Sequence, residues 1–123
     1  MNPLNEIIQD IYNVSMELNN IVNDLNHCIV SHEDSINKKY VAKCHNEFAN
    51  QWLKDEQRFL RFAVEGDNLV IYLDARSNSY LAIGAFTTLL QQQLHETAIK
   101  HMIENPDVIA DFPEHYKYFK STF

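Results

Sequence analysis

Apolar side chains recur every seven positions along the first thirty residues of the chain. One series is Leu4, Ile11, Leu18 and Leu25, and a second series between them is Ile7, Val14, Ile21 and Cys28. This a/d pattern predicts one helix over about residues 4–28. Ile8, Val22 and Ile29 widen the apolar stripe. A stripe this wide favours burial in a helical bundle, with or without a dimer contact, over an isolated two-stranded coiled coil.

A second apolar series, with a spacing of four, predicts a helix over about residues 36–57. Its members are Ile36, Tyr40, Cys44, Phe48 and Trp52, with Val41 and Leu53 beside them. The polar residues 31–35 connect it to the first helix. The first helix contains no Lys or Arg, whereas residues 38–61 hold six of the ten in the chain. We therefore expect an acidic and a basic helix that pair as an antiparallel hairpin.

The next segment is rich in residues that favour strands. Runs at 59–64 and 69–73 flank a turn that contains Gly66, which predicts a β-hairpin. The alternative is that the second helix continues through Val64. Because two strands alone are marginally stable, we expect the hairpin to pack on the helices or to extend a sheet in a partner subunit.

A third helix is predicted over about residues 80–104, because Ser77 and Ser79 are suitable caps and Pro106 ends helices. Gly84 near its start is expected to permit close helix packing. Aromatic side chains then cluster near the end of the chain, at Phe112, Tyr116, Tyr118, Phe119 and Phe123. So much apolar surface is expected to dock on the body of the protein or to form an interface.

These elements predict a mainly α (α+β) protein with a single domain over residues 1–123. It comprises three long helices in a bundle, a short β-hairpin inserted between helices two and three, and a short aromatic C-terminal segment. The formal charge of −7 opposes binding to nucleic acid. Since we find no membrane-length apolar run and no basic start typical of a signal peptide, we expect no membrane partner and a cytoplasmic location.

Motifs that carry chemistry are sparse. The chain has no Gly-x-Gly-x-x-Gly, Walker or Gly-x-Ser-x-Gly sequence. Residue types that bind zinc occur at His27, Cys28, His32, Cys44 and His45. A helical hairpin would separate them and bury both thiols in reduced form, so neither a metal site nor a cofactor is predicted. Asp74, Arg76 and Ser77 precede the third helix and suggest an anion site, although an ordinary capped turn explains the same residues.

Acidic residues form the candidate binding surface. Asp10, Glu17 and Asp24 occupy one flanking heptad position of the first helix, and Asp67 and Asp74 form a second patch. Small size, net acidity and the lack of catalytic motifs favour a non-catalytic acidic protein-binding module. We expect an inhibitor or an immunity or antitoxin protein that neutralises a basic partner such as a nuclease toxin.

Two other functions fit the sequence. One is a self-associating helical scaffold or adaptor, which would form a homodimer through the heptad seam or the aromatic tail. The tail residues for such an interface are Tyr116, Tyr118, Phe119 and Phe123. The other is a small enzyme that binds an anion at Asp74, Arg76 and Ser77.

Overall fold

A computed structural model describes residues 3–121 of the chain. The elements in order are α1 (Pro3–Ser31), β1 (Ser35–Lys43), α2 (Asn46–Trp52), β2 (Arg61–Glu65), β3 (Asn68–Arg76), α3 (Tyr80–Glu104), α4 (Pro106–Asp111) and α5 (Pro113–Ser121). A short 3-10 turn, Ser77–Ser79, leads into α3. The protein is therefore mainly α (α+β), with a small three-stranded antiparallel sheet.

The heptad seam of the first helix is part of the protein core. Helix α1 extends a few residues beyond the predicted range and packs against α3 and β1. Its seam residues Ile11, Val14, Leu18, Ile21 and Leu25 are buried. The wide apolar stripe of α1 allows it to be buried along its length against both α3 and β1. The seam is therefore not available for a coiled-coil contact between two copies.

The predicted second long helix is wrong. Residues 35–43 form a strand, and within the range 36–57 predicted as a helix only the seven residues of α2 are helical. A spacing of four fits a strand as well as a helix, because it is a multiple of the two-residue repeat of a strand. Tyr40 and Ala42 are buried on the inner face, whereas Val41 between them is 47% exposed. The β-branched and aromatic residues of this segment favour the strand.

The hairpin predicted over 59–73 is present as β2 and β3, but it does not lie between two long helices. Gly66 turns the chain with a φ of +64°, a backbone conformation that favours glycine. The other edge of β3 pairs with β1 along its full length, from Ser35 opposite Arg76 to Lys43 opposite Asn68. The sheet is thus ordered β1-β3-β2, with β1 and β2 as its edge strands. Its inner face packs on the helices through Leu69, Ile71, Leu73 and Ala75.

The third helix has the predicted bounds, and the aromatic tail folds back onto the body as α4 and α5. Phe119 is fully buried, and Tyr116 and Tyr118 are partly buried against the core. The rings of Tyr12 and His115 stack with centroids 3.9 Å apart. Phe123 lies outside the described residues. Across residues 3–121, each helix is too short or too polar to cross a bilayer.

Candidate functional site

An open groove of about 880 Å³ lies between α1 and the end of β1, and we call it the α1–β1 groove. Helix α1 contributes seven lining residues: Asn5, Glu6, Gln9, Asp10, Asn13, Met16 and Glu17. The opposite wall is formed by residues 41–45, which end β1 and lead into α2. Asp67 from the β2–β3 turn and Phe112 from the C-terminal segment also line it.

Four carboxylates converge on this groove. Glu6, Asp10 and Glu17 are four and seven residues apart along α1, so helical geometry places them on one face. Asp67 joins them because its carbonyl oxygen accepts a 3.0 Å hydrogen bond from the backbone N–H of Cys44. The cationic groups in the same lining are Lys43 and His45 when protonated, so the carboxylates outnumber them by two to one.

Asp10 and His45 form a close pair in the wall of the groove. One carboxylate oxygen, Asp10 Oδ2, accepts hydrogen bonds from His45 Nδ1 at 2.8 Å and from the His45 backbone N–H at 3.3 Å. The Asp10 side chain is 5% exposed, whereas that of His45 is 54% exposed. The hydrogen bond to Asp10 and its negative charge raise the pKa of His45. Asp10 is therefore not part of a solvated acidic line: it holds the start of α2 against α1.

Burial dominates the ionisation of Asp10 itself. Removal from water raises the pKa of this carboxyl, and the hydrogen bonds from His45 offset only part of that effect. The pair is thus sheltered from water on the Asp10 side and open to water on the His45 side.

Amides and apolar groups complete the wall. Gln9 Nε2 donates to Asn13 Oδ1 at 2.9 Å, and Asn13 Nδ2 donates to the carbonyl oxygen of Lys43 at 3.1 Å. The first bond lies within α1, and the second holds α1 to the end of β1. Met16 and Val41 expose 38% and 47% of their surface, so the groove also offers apolar contact area.

The other two predicted acidic residues lie outside the groove. Asp24 Oδ2 accepts hydrogen bonds from Lys38 Nζ at 2.9 Å and from the Tyr40 hydroxyl at 2.6 Å. Partial burial acts to raise the pKa of Asp24, but these two hydrogen bonds together outweigh it and lower the pKa. Asp74 is exposed on β3, opposite Asn37 of β1. The structure therefore brings together Asp10, Glu17 and Asp67, but neither Asp24 nor Asp74.

The predicted anion site is an ordinary junction between a strand and a helix. The backbone N–H of Ser77 already donates to the carbonyl oxygen of Asp34 at 3.0 Å. Ser79 Oγ donates to the carbonyl oxygen of Arg76, which closes the turn before α3. Asp74 and Arg76 form no ion pair with each other within the described residues. The segment is thus a strand-to-helix turn whose backbone and hydroxyl groups bond within the described chain, and Ser79 at the start of α3 makes no side-chain cap hydrogen bond.

The residues that suggested metal ligands are dispersed. Between residues 3 and 121 no group of three or more His, Cys, Asp or Glu side chains is arranged to hold a metal ion. Cys28 and Cys44 are free and buried. Burial raises the pKa of both thiols, that of Cys44 to about 12, so neither is a reactive thiolate near neutral pH.

A second polar cluster is enclosed in the core between α1, α3 and α5. Ser15 Oγ and His95 Nε2 are hydrogen-bonded, and Gln91 Nε2 donates to the carbonyl oxygen and the hydroxyl of Ser15. Both Ser15 and His95 are fully buried. Burial lowers the pKa of His95 to about 4, so its imidazole is neutral near neutral pH. The Tyr118 hydroxyl of α5 lies 3.3 Å from Ser15 Oγ, so the cluster joins the three helices.

Sequence reasoning did not assign Glu6 or His45 to the binding surface. Glu6 precedes Asp10 by one helical turn, and that spacing alone was enough to include it. The pairing of His45 with Asp10 could not be recognised, because it depends on the chain leaving β1 and entering α2 at this point.

Comparison of the chain with models of protein families, with curated proteins and with solved structures finds no match.

Proposed function

We propose that this protein is a non-catalytic, acidic protein-binding module whose α1–β1 groove receives basic side chains of a partner protein. The partner class that fits best is a basic protein such as a nuclease toxin, which makes this chain an inhibitor of the immunity or antitoxin type. The observation that carries the proposal is the convergence of Glu6, Asp10, Glu17 and Asp67 on one groove. We place this activity in the cytoplasm.

Three of the four groove carboxylates, those of Glu6, Glu17 and Asp67, are available to a partner, whereas the buried Asp10 bonds to His45. Within residues 3–121, the Lys and Arg side chains form one ion pair with a carboxylate, Lys38 with Asp24, and it lies outside the groove. Glu6, Glu17 and Asp67 therefore keep their charge uncompensated by a bonded cation. Such a cluster raises the association rate of a basic partner and sets its orientation.

The shape and the apolar parts of the groove suit long basic side chains. Lys and Arg bury their aliphatic stems on apolar surface while the charged end reaches a polar group. Met16 and Val41 provide such surface beside the carboxylates. Nucleases bind phosphate backbones through clusters of Lys and Arg, so an acidic groove is complementary to that kind of active site.

The Asp10–His45 pair also resembles part of an acid–base catalyst, in which a carboxylate orients an imidazole. The adjacent thiol of Cys44 does not complete such a site, because its pKa is raised to about 12 and its Sγ donates to the carbonyl oxygen of His45. The pair has a direct structural use in holding α2 to α1. We therefore assign the groove to binding.

The test is affinity capture of the tagged protein from its own host at low salt, with elution in rising salt and identification by mass spectrometry. The groove variant combines Glu6→Gln, Glu17→Gln and Asp67→Asn, and it leaves the Asp10–His45 pair intact. The control variant combines Asp55→Asn, Asp74→Asn and Glu104→Gln, three exposed carboxylates outside the groove. Both variants change the net charge by the same amount.

We expect the parent chain to retain a basic protein in stoichiometric amount and to release it as salt is raised. The groove variant should bind the captured partner on the order of 30-fold more weakly, whereas the control variant should bind within a few-fold of the parent. Equal weakening by both variants would show that only net charge matters. Recovery of the bait alone would contradict the proposed function.

A further inference from the structure

The outward side of α3 carries an uncharged surface that the groove does not use. From Ser77 to His95 the sequence contains no Asp, Glu, Lys or Arg. The exposed residues on one side of this stretch form what we call the neutral α3 face: Leu81, Ala82, Ala85, Thr88, Leu89 and Gln92. Leu81 is 79% exposed and Leu89 is 54% exposed. Their spacing of three and four is that of a helix-packing seam.

The neighbouring part of α1 continues this surface. Val22, Asn26 and Ile29 line a shallow groove of about 580 Å³ with the first half of α3, and all of its lining side chains are uncharged. Val30, at the end of α1, is 77% exposed. The chain has a net charge of −7, yet the neutral α3 face and the lining of this groove contain no charged side chain. Contiguous exposed apolar surface of this kind marks an interaction site.

The neutral α3 face is arranged symmetrically about Ala85. Leu81 and Leu89 lie four residues before and after it, and Ala82 and Thr88 lie three residues before and after it. Reversal of the helix direction about Ala85 therefore superimposes large side chains on large ones and small side chains on small ones. This is the property that a two-fold interface requires, because the same surface must complement itself.

Gly84 supports close approach from outside the chain. Among the described residues, a Cβ atom placed on Gly84 would meet no atom outside its own helix within 4 Å, so the expected packing of another helix against this glycine is not found in residues 3–121. Glycine in a helix interior lowers helix stability relative to alanine. Gly84 lies beside Ala85, and small side chains at these two positions would let the backbones of two helices come close together.

We propose that a second copy of this chain binds the neutral α3 face, with the two α3 helices antiparallel and crossing at Ala85. Leu81 of each copy then packs against Leu89 of the other. A copy is favoured over an unrelated partner because the face is self-complementary in shape, and because contact through an uncharged surface avoids apposing like charges on two molecules of charge −7.

This surface replaces the two surfaces that the sequence suggested for self-association. The heptad seam of α1 is buried in the core, and Phe119 of the aromatic tail is fully buried. The inference does not depend on the proposed function of the α1–β1 groove, whose lining residues are all different.

The first test is the mass in solution, measured by sedimentation equilibrium on the full chain. We expect twice the chain mass of 14.4 kDa, with dissociation on dilution. Ala85→Glu places two carboxylates face to face at the two-fold axis, and self-association should weaken on the order of 100-fold. The control is Gln51→Glu, at an exposed position of α2, which adds the same charge away from the neutral α3 face and should leave the dimer intact. Circular dichroism on each variant confirms that the chain is folded.

The second test uses the symmetry. A disulfide requires Cα atoms within about 7 Å, and at an antiparallel crossing only the residue on the axis meets its own counterpart at that distance. Ala85→Cys should therefore form a covalent dimer under mild oxidation, whereas Gln51→Cys should not. A parent chain of 14.4 kDa at every concentration would overturn the proposal. A dimer that Ala85→Glu leaves unchanged, or that Ala85→Cys does not cross-link, would also overturn it.

Discussion

His95 makes the stability of this protein sensitive to acid, and its burial sets the size of the effect. The imidazole is fully buried between α1 and α5, where it bonds to Ser15 and lies 5.1 Å and 5.2 Å, between ring centroids, from Phe119 and Tyr118. Burial lowers its pKa from an ordinary 6.5 to about 4. In the unfolded chain the same group binds a proton more readily. Unfolding is therefore favoured as the pH falls.

The magnitude follows from the two pKa values. Each unit of difference corresponds to about 1.4 kcal/mol, so the His95 contribution to the free energy of unfolding is present above about pH 7 and is lost as the pH falls towards about 4. The loss amounts to about 2 kcal/mol between about pH 7.5 and pH 5, and to about 3 kcal/mol in total. This is a large fraction of the roughly 5–15 kcal/mol that stabilises a typical domain.

The assay is urea unfolding of the parent chain and of His95→Gln at a series of pH values. Glutamine retains a polar group for Ser15 but does not titrate, and loss of the ring should cost about 1–3 kcal/mol at about pH 7.5. Other titrating groups, such as His115 and Asp24, are common to both proteins and cancel in the difference. We expect that difference to shrink by about 2 kcal/mol on going to about pH 5. Parallel pH profiles for the two proteins would refute the reasoning.

Two further predictions test the Asp10–His45 pair and the first strand. Asp10→Asn removes the charge that raises the pKa of His45, so NMR titration should show a lower His45 pKa in this variant. Glu47→Gln should change the His45 pKa much less. An unchanged pKa in Asp10→Asn would show that the pair does not form. In the strand, Val41→Asp should lower the free energy of unfolding by less than about 1 kcal/mol, and Ala42→Asp should lower it by more than about 3 kcal/mol, because only Ala42 is buried. Thermal or urea unfolding measures both values. The opposite order would favour the helix first expected there.

Helices α1 and α3 were predictable because their evidence is local. Each carries apolar residues at helical spacing over more than twenty residues, and helix geometry converts that spacing into one buried face whatever the rest of the chain does. The β2–β3 hairpin was predictable for a similar reason, since its turn at Gly66 joins strands that are adjacent in sequence. The clustering of Glu6, Asp10 and Glu17 likewise follows from positions along a single helix.

Strand β1 and the composition of the groove depend on contacts between distant segments. Ile36, Tyr40 and Cys44 suit a helix and a strand equally, and what selects the strand is a row of hydrogen bonds to β3, more than twenty-five residues further along the chain. That pairing carries Lys38 and Tyr40 to Asp24, which removes Asp24 from the free acidic surface. It also brings Asp67 and His45 into the lining of the α1–β1 groove, where His45 bonds to Asp10. Spacing along the chain determines the faces of its helices, but hydrogen bonds and burial between distant residues determine which charges meet.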